Sequence, residues 1–145
     1  MWEPFREPAR RTMVVAQEIA KRLGVRELDA EHIVAATVEV GDNLAADAFS
    51  SCGVGVERMN EAALRALPHG EEAGQQEMLF TKRSKQLIKR AFDEARNLKH
   101  SYIGTEHFLL AYITEFGAKS KLFAELGIER DALRTKLLQL IREQG

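Results

Sequence analysis

Two short runs in this chain set a carboxylate and an imidazole side by side at the start of a helix. Glu31-His32-Ile33-Val34-Ala35-Ala36 returns 75 positions later as Glu106-His107-Phe108-Leu109-Leu110-Ala111. A helix N-terminus offers N–H groups without partners and a partial positive charge, which suit an anion. A carboxylate in the same first turn takes a cation, and takes a guanidinium best, through a forked pair. Thr105 followed by Glu106 puts a hydroxyl and a carboxylate within one turn. That hydroxyl can cap the helix or donate to a phosphate oxygen. Together they suit a ligand carrying both signs of charge at close range. The plainer alternative is that Glu31 and Glu106 only complement the helix dipole, which favours acids in a first turn.

Other chemistries find little support. His32 and His107 belong to separate copies, and neither has a second Cys or His at ligand spacing, so they read as packing or capping residues rather than metal ligands. His100 falls at a helix end, where partial positive charge is favourable. Cys52 is the only cysteine, which excludes an intrachain disulfide and suggests a reducing cytoplasm. It aligns with Leu126 and reads as a small core residue. The chain has no Gly-x-x-x-x-Gly-Lys-Ser/Thr loop, no Gly-x-Ser-x-Gly elbow and no His-Glu-x-x-His. With no acid, base or nucleophile constellation, catalysis is not expected, nor is a cofactor or metal.

The elements that must position these residues also come in two copies. Phe5, Ala9, Met13, Ala16, Ala20 and Leu23 form one apolar helical stripe, and the same shift carries Phe5 to Phe80, Ala16 to Ala91, Ala20 to Ala95 and Leu23 to Leu98. Pro8 suits a first turn and Gly24 a stop. A second helix starts near Asp29 and breaks at Gly41-Asp42-Asn43. A third spans 44–52 and a fourth about 56–67. The stretch 68–79 reads as a linker, exposed from Pro68 to Glu77. Thr81 is a plausible N-cap for the fifth helix. Gly104-Thr105-Glu106 opens the sixth. A seventh covers about 118–126, and an eighth carries Leu133, Leu137, Leu138 and Ile141. One residue is missing from the second copy near Phe116-Gly117. The expected fold is all-α: two pseudo-symmetric four-helix repeats, about 5–67 and about 80–141, packed as one eight-helix domain over 1–145.

Bulk properties narrow the function. At 145 residues, 45% apolar and 30% charged, the chain is a globular domain able to bury a core. A formal net charge of −1 argues against a general nucleic-acid or membrane-surface binder. No apolar run approaches the roughly 20 residues that cross a bilayer.

The segments Phe80-Thr-Lys-Arg-Ser-Lys and Asp93-Glu-Ala-Arg-Asn-Leu-Lys-His-Ser-Tyr-Ile-Gly-Thr-Glu-His-Phe-Leu-Leu110 resemble the second repeat of the Clp N-terminal domain, the double-repeat cap of Clp-type AAA+ unfoldases, in particular its ClpC branch. The resemblance runs from Phe5 to about Ile141. It implies a cytoplasmic docking platform for adaptor proteins and protein substrates of a Clp protease. For ClpC-type members it also implies phosphoarginine binding, one pocket per repeat, around the glutamate of Gly-Thr-Glu-His; the matching residues are Glu31 and Glu106. It further implies a hydrophobic groove, for which Trp2, Phe5, Phe80, Lys82 and Lys85 are the local candidates. The runs Lys82-Arg83-Ser84-Lys85 and Arg10-Arg11 otherwise read as solvated helix faces.

The first copy departs from the pattern, with Asp29-Ala30-Glu31 where the second has Gly104-Thr105-Glu106. Asp29 adds negative charge where a phosphate would arrive, so the expected phosphoarginine site is the one at Glu106. Phe116-Gly117 replaces the family's Gly-Glu-Gly loop. Two roles stay open: a recognition module of a larger unfoldase, or a stand-alone Clp-repeat protein, structural or oligomeric, or a decoy that sequesters the same ligands.

Overall fold

The computed structural model describes residues 4–71 and 77–144; Trp2 lies outside them. Eight helices follow in chain order: α1 (Glu7–Arg22), α2 (Ala30–Val40), α3 (Leu44–Ser51), α4 (Val56–Ala66), α5 (Lys82–Asn97), α6 (Thr105–Phe116), α7 (Lys121–Leu126) and α8 (Arg130–Gln144). None is long and apolar enough to cross a membrane.

The two glutamate-bearing helices lie at the centre. Ala30 to Val38 of α2 and Thr105 to Ile113 of α6 are buried on every side, which is why these segments are apolar all round rather than striped. Helix α1 covers α2, and α5 covers α6, through the stripes the sequence shows. The copies then exchange partners: α3 packs on α8 and α4 on α7. Neither copy closes its own core, as its length predicts. Pro8 lies in the first turn of α1, and Gly24 turns the chain out of it at φ +77°.

The same exchange appears in two short parallel strand contacts that the sequence does not announce. β1 (Glu27–Leu28) pairs with β2 (Leu79–Phe80), placing Leu28 opposite Phe80. Phe5 bridges Ile103, where the Arg6 N–H donates to the Ile103 carbonyl at 2.9 Å. The 75-residue shift carries Phe5 to Phe80 and Leu28 to Ile103, so these are one contact made twice. Two residues are too few to show a period of two.

Two expectations need correction. Cys52 is exposed, because α3 ends at Ser51 and leaves Cys52 just past the helix, whereas Leu126 lies inside the last turn of α7. The seventh helix is broken: a 3-10 turn over Gly117–Lys119 precedes α7. Gly117 keeps a right-handed φ of −63°, so the chain runs on from α6, whereas Gly41 breaks out of α2 at φ +69°.

Candidate functional site

The N-terminus of each central helix opens on a surface cleft. In the second copy, the starts of α1, α3 and α6 converge on a cleft of about 160 Å³ lined by Arg6, Asn43, Tyr102, Gly104 and Glu106. Glu106 is buried, yet among the described residues it receives one hydrogen bond, from the Tyr102 hydroxyl at 3.1 Å, and no ion pair. Its carboxylate folds back over Gly104, into space that a Cβ there would take. The Arg6 guanidinium is 3.6 Å from the Tyr102 ring centre, and the His100 ring stacks on Tyr102 at 4.9 Å. Burial, and then the Glu106 charge, raise the Tyr102 phenol above its ordinary value.

His107 caps this helix. Its Nδ1 accepts the Gly104 N–H at 2.8 Å, which leaves the proton on Nε2, facing His100 Nδ1 at 2.8 Å. Burial, and then the electrostatic influence of His100 and Arg6, lowers its pKa from 6.5 to about 4. His100, Glu106 and His107 bring ligand atoms within 4.8 Å of one another, a proximity the spacing does not suggest. The tautomer argues against metal: both His107 nitrogens are committed to hydrogen bonds, one as acceptor and one as donor. Thr105 is committed too. Its hydroxyl donates to Asn43 Oδ1 at 2.9 Å and accepts the Ala45 N–H at 3.3 Å, clamping α3 to α6. It therefore has no proton left for a phosphate oxygen.

The cleft of the first copy, about 260 Å³, is built from the corresponding helix starts but filled differently. Asp29 is the N-cap of α2, accepting the Ala30 N–H at 2.8 Å and the Thr81 hydroxyl at 2.8 Å. The Cβ of Asp29 stands where Gly104 has none, so Glu31 cannot fold back as Glu106 does. It meets Arg83 instead, in a fork at 2.7 and 2.8 Å. Arg83 also reaches Asp29 at 2.8 Å and lies over the Phe116 ring at 4.4 Å. The Tyr112 hydroxyl donates to Glu31 at 2.8 Å and accepts from Ser120 at 2.7 Å. Tyr112 thus steadies the Ser120 cap of α7, a job for which Ala30 has no hydroxyl. The bond to Glu31 pushes the guanidinium pKa of Arg83 up, and burial raises the Tyr112 phenol. His32 repeats the cap, accepting the Asp29 N–H at 2.8 Å. Among the described residues its buried Nε2 has no partner, because Val25 stands where the other copy has His100. Burial lowers the pKa of His32 as well.

Of the groove candidates inside the described residues, Phe5 and Phe80 belong to different strand contacts. Phe5 is buried, its ring 5.8 Å from those of Phe92 and Phe108. Phe80 is half-buried and belongs to the other strand pair. Lys82 and Lys85 are exposed on the first turns of α5. Arg83, read as part of a solvated face, is instead the pivot of the first cleft. The signal that points to it is the doubled acid Asp29-x-Glu31, which needs a cation. Tyr112 and Arg6 act across the copies and leave no local trace, whereas Tyr102 reaches Glu106 one helical turn on and Phe116 faces Arg83 within the second copy.

The family profile described as the Clp repeat (R) N-terminal domain matches residues 4–120 and 79–145. The chain is 37% identical over 142 residues to the negative regulator of genetic competence ClpC/MecB of Bacillus subtilis, and 35% identical over 142 residues to the chaperone protein ClpB of Oceanobacillus iheyensis. Each alignment covers 97% of this chain and 17% of the relative, so the chain spans about a sixth of their length. Its fold matches the N-terminal domain of ClpD from Arabidopsis thaliana with a TM-score of 0.79 at 20% identity, covering 97% of this chain and 99% of that one. It also matches the Hsp104 N-terminal domain from Candida albicans with a TM-score of 0.77 at 22% identity, covering 94% and 90%.

Proposed function

We infer the function from this premise: the chain belongs to the Clp repeat N-terminal domain family. Its role in our reading is docking. It receives adaptor proteins and protein substrates for a Clp protein-degradation machine in the cytoplasm, and does no catalysis of its own. Arginine-phosphorylated proteins are among its ligands, held through the cleft at Glu106.

The observation that carries this reading is a buried carboxylate with, among the described residues, a single neutral hydrogen bond and no cation of its own. Leaving a charge so placed is costly unless something pairs with it. A guanidinium supplies that pair through a fork. Around it, three helix N-termini and the exposed Arg6 favour the phosphoryl anion. Arg6 takes over the phosphate role that Thr105 cannot fill. Phosphoarginine carries both groups on one side chain.

Calorimetry with phosphoarginine and with an arginine-phosphorylated protein tests the reading. Binding of both is expected, with Glu106→Gln weakening it about 100-fold, on the order of 2.7 kcal/mol. No heat with either ligand, in a folded protein, removes phosphoarginine from the proposal.

A further inference from the structure

The first cleft already holds a guanidinium, and it is the chain's own. Arg83 reaches in from the first turn of α5 and makes two bonds to Glu31 and one to Asp29, under the flat face of Phe116. The carboxylates are held from behind. Tyr112 fixes Glu31, and Thr81 fixes Asp29. The two halves of this pair differ in freedom: the Glu31 side chain is 11% exposed, that of Arg83 41%. The acid is the inner part of the site and the arginine its outer part. In the other cleft the position 75 residues before Arg83 is Pro8, which has no group to offer.

We propose that Arg83 is a latch. The first cleft is a guanidinium site closed by an internal arginine, and a ligand guanidinium enters only by displacing it. Planar, forked recognition with an aromatic face above is the arrangement that selects guanidinium over ammonium. Displacement leaves the fork on Glu31 to the newcomer and turns Arg83 outward to solvent. The guanidinium can come from an unmodified arginine or from phosphoarginine. The latch concerns Glu31 alone and does not depend on what Glu106 binds, although its ligand class follows the function proposed above.

Arg83→Met keeps an unbranched apolar stem and removes the fork. Titrating this variant with acetyl-arginine amide and, separately, phosphoarginine by calorimetry and amide NMR is expected to show one more site per chain than the unaltered protein. Glu31→Gln added to Arg83→Met is expected to remove that site, and the probe that fills it identifies the source. In parallel, millimolar guanidinium is expected to raise the melting temperature of Arg83→Met, but not that of the unaltered protein or of the double variant. A folded Arg83→Met that gains no site with either probe and no guanidinium rescue overturns the latch. So does an unaltered protein whose Glu31 cleft binds either probe as tightly as Arg83→Met. Loss of phosphoarginine binding at Glu106 with rescue intact would reject the other reading and leave the latch standing.

Discussion

Glu31 and Glu106 hold the same position in two copies of one fold, and their surroundings are opposite. Glu31 is forked by Arg83 and steadied by Tyr112. Glu106 takes a single hydroxyl and faces a cleft. The divergence traces to the residue two places earlier. Gly104 gives Glu106 room to fold back; Asp29 denies it to Glu31 and adds a second charge, which Arg83 answers. A duplication supplied two equal scaffolds, and a Gly/Asp difference at the helix cap separated an open carboxylate from a satisfied one.

Four changes probe this contrast. The largest effect expected is on the acid limb of stability, through His107. A histidine whose pKa falls from 6.5 unfolded to about 4 folded binds fewer protons when folded. Stability is therefore full above about pH 6.5, declines as pH drops toward 4, and levels off below. The loss is on the order of 3 kcal/mol. His107→Gln can keep both hydrogen bonds and is expected to flatten that limb in pH-dependent urea melts. His32→Gln flattens it less if the His100 contact sets the copies apart.

Arg83→Met comes next, at about 2 kcal/mol of destabilisation. It strips three charged hydrogen bonds from the two carboxylates, and the partial exposure of the pair moderates the loss. The same substitution logic at Pro8 in the other copy is expected to leave no such mark on its carboxylate. Urea unfolding measures the first directly.

Gly104→Ala converts the second cleft toward the first. Its Cβ displaces the Glu106 carboxylate, the mobile end of a flexible side chain, so the expected result is about tenfold weaker phosphoarginine binding, about 1.4 kcal/mol, with little change in melting temperature. Thr105→Val has the smallest effect. It loses the clamp to Asn43 and about 1 kcal/mol of stability, seen by thermal unfolding, and leaves ligand affinity within a factor of about three.

The helices were legible in the sequence because their stripes and breakers are local: Ala9, Met13 and Ala16 along α1, Gly24 and Gly41 at its end and that of α2. The two strand contacts were not, since Leu28–Phe80 and Phe5–Ile103 are single-step meetings of distant segments. Of the clefts, the glutamates and the histidine caps could be found by comparing the copies. Arg83 could not be separated from an ordinary basic run, because its partner lies 52 residues away in the other copy. Thr105 illustrates the converse: its type and position suit a phosphate, and only the fold shows its hydroxyl given to Asn43.

The asymmetry of the two carboxylates is the centre of this account, and counting sites tests it most directly. In a phosphoarginine titration of the unaltered chain followed by amide NMR, one site per chain is predicted, with shifts centred on Gly104, Thr105 and Glu106. Glu106→Gln is predicted to weaken it about 100-fold, and Glu31→Gln to leave its affinity unchanged. Two equivalent sites, or a single site lost with Glu31→Gln and kept with Glu106→Gln, would contradict the account.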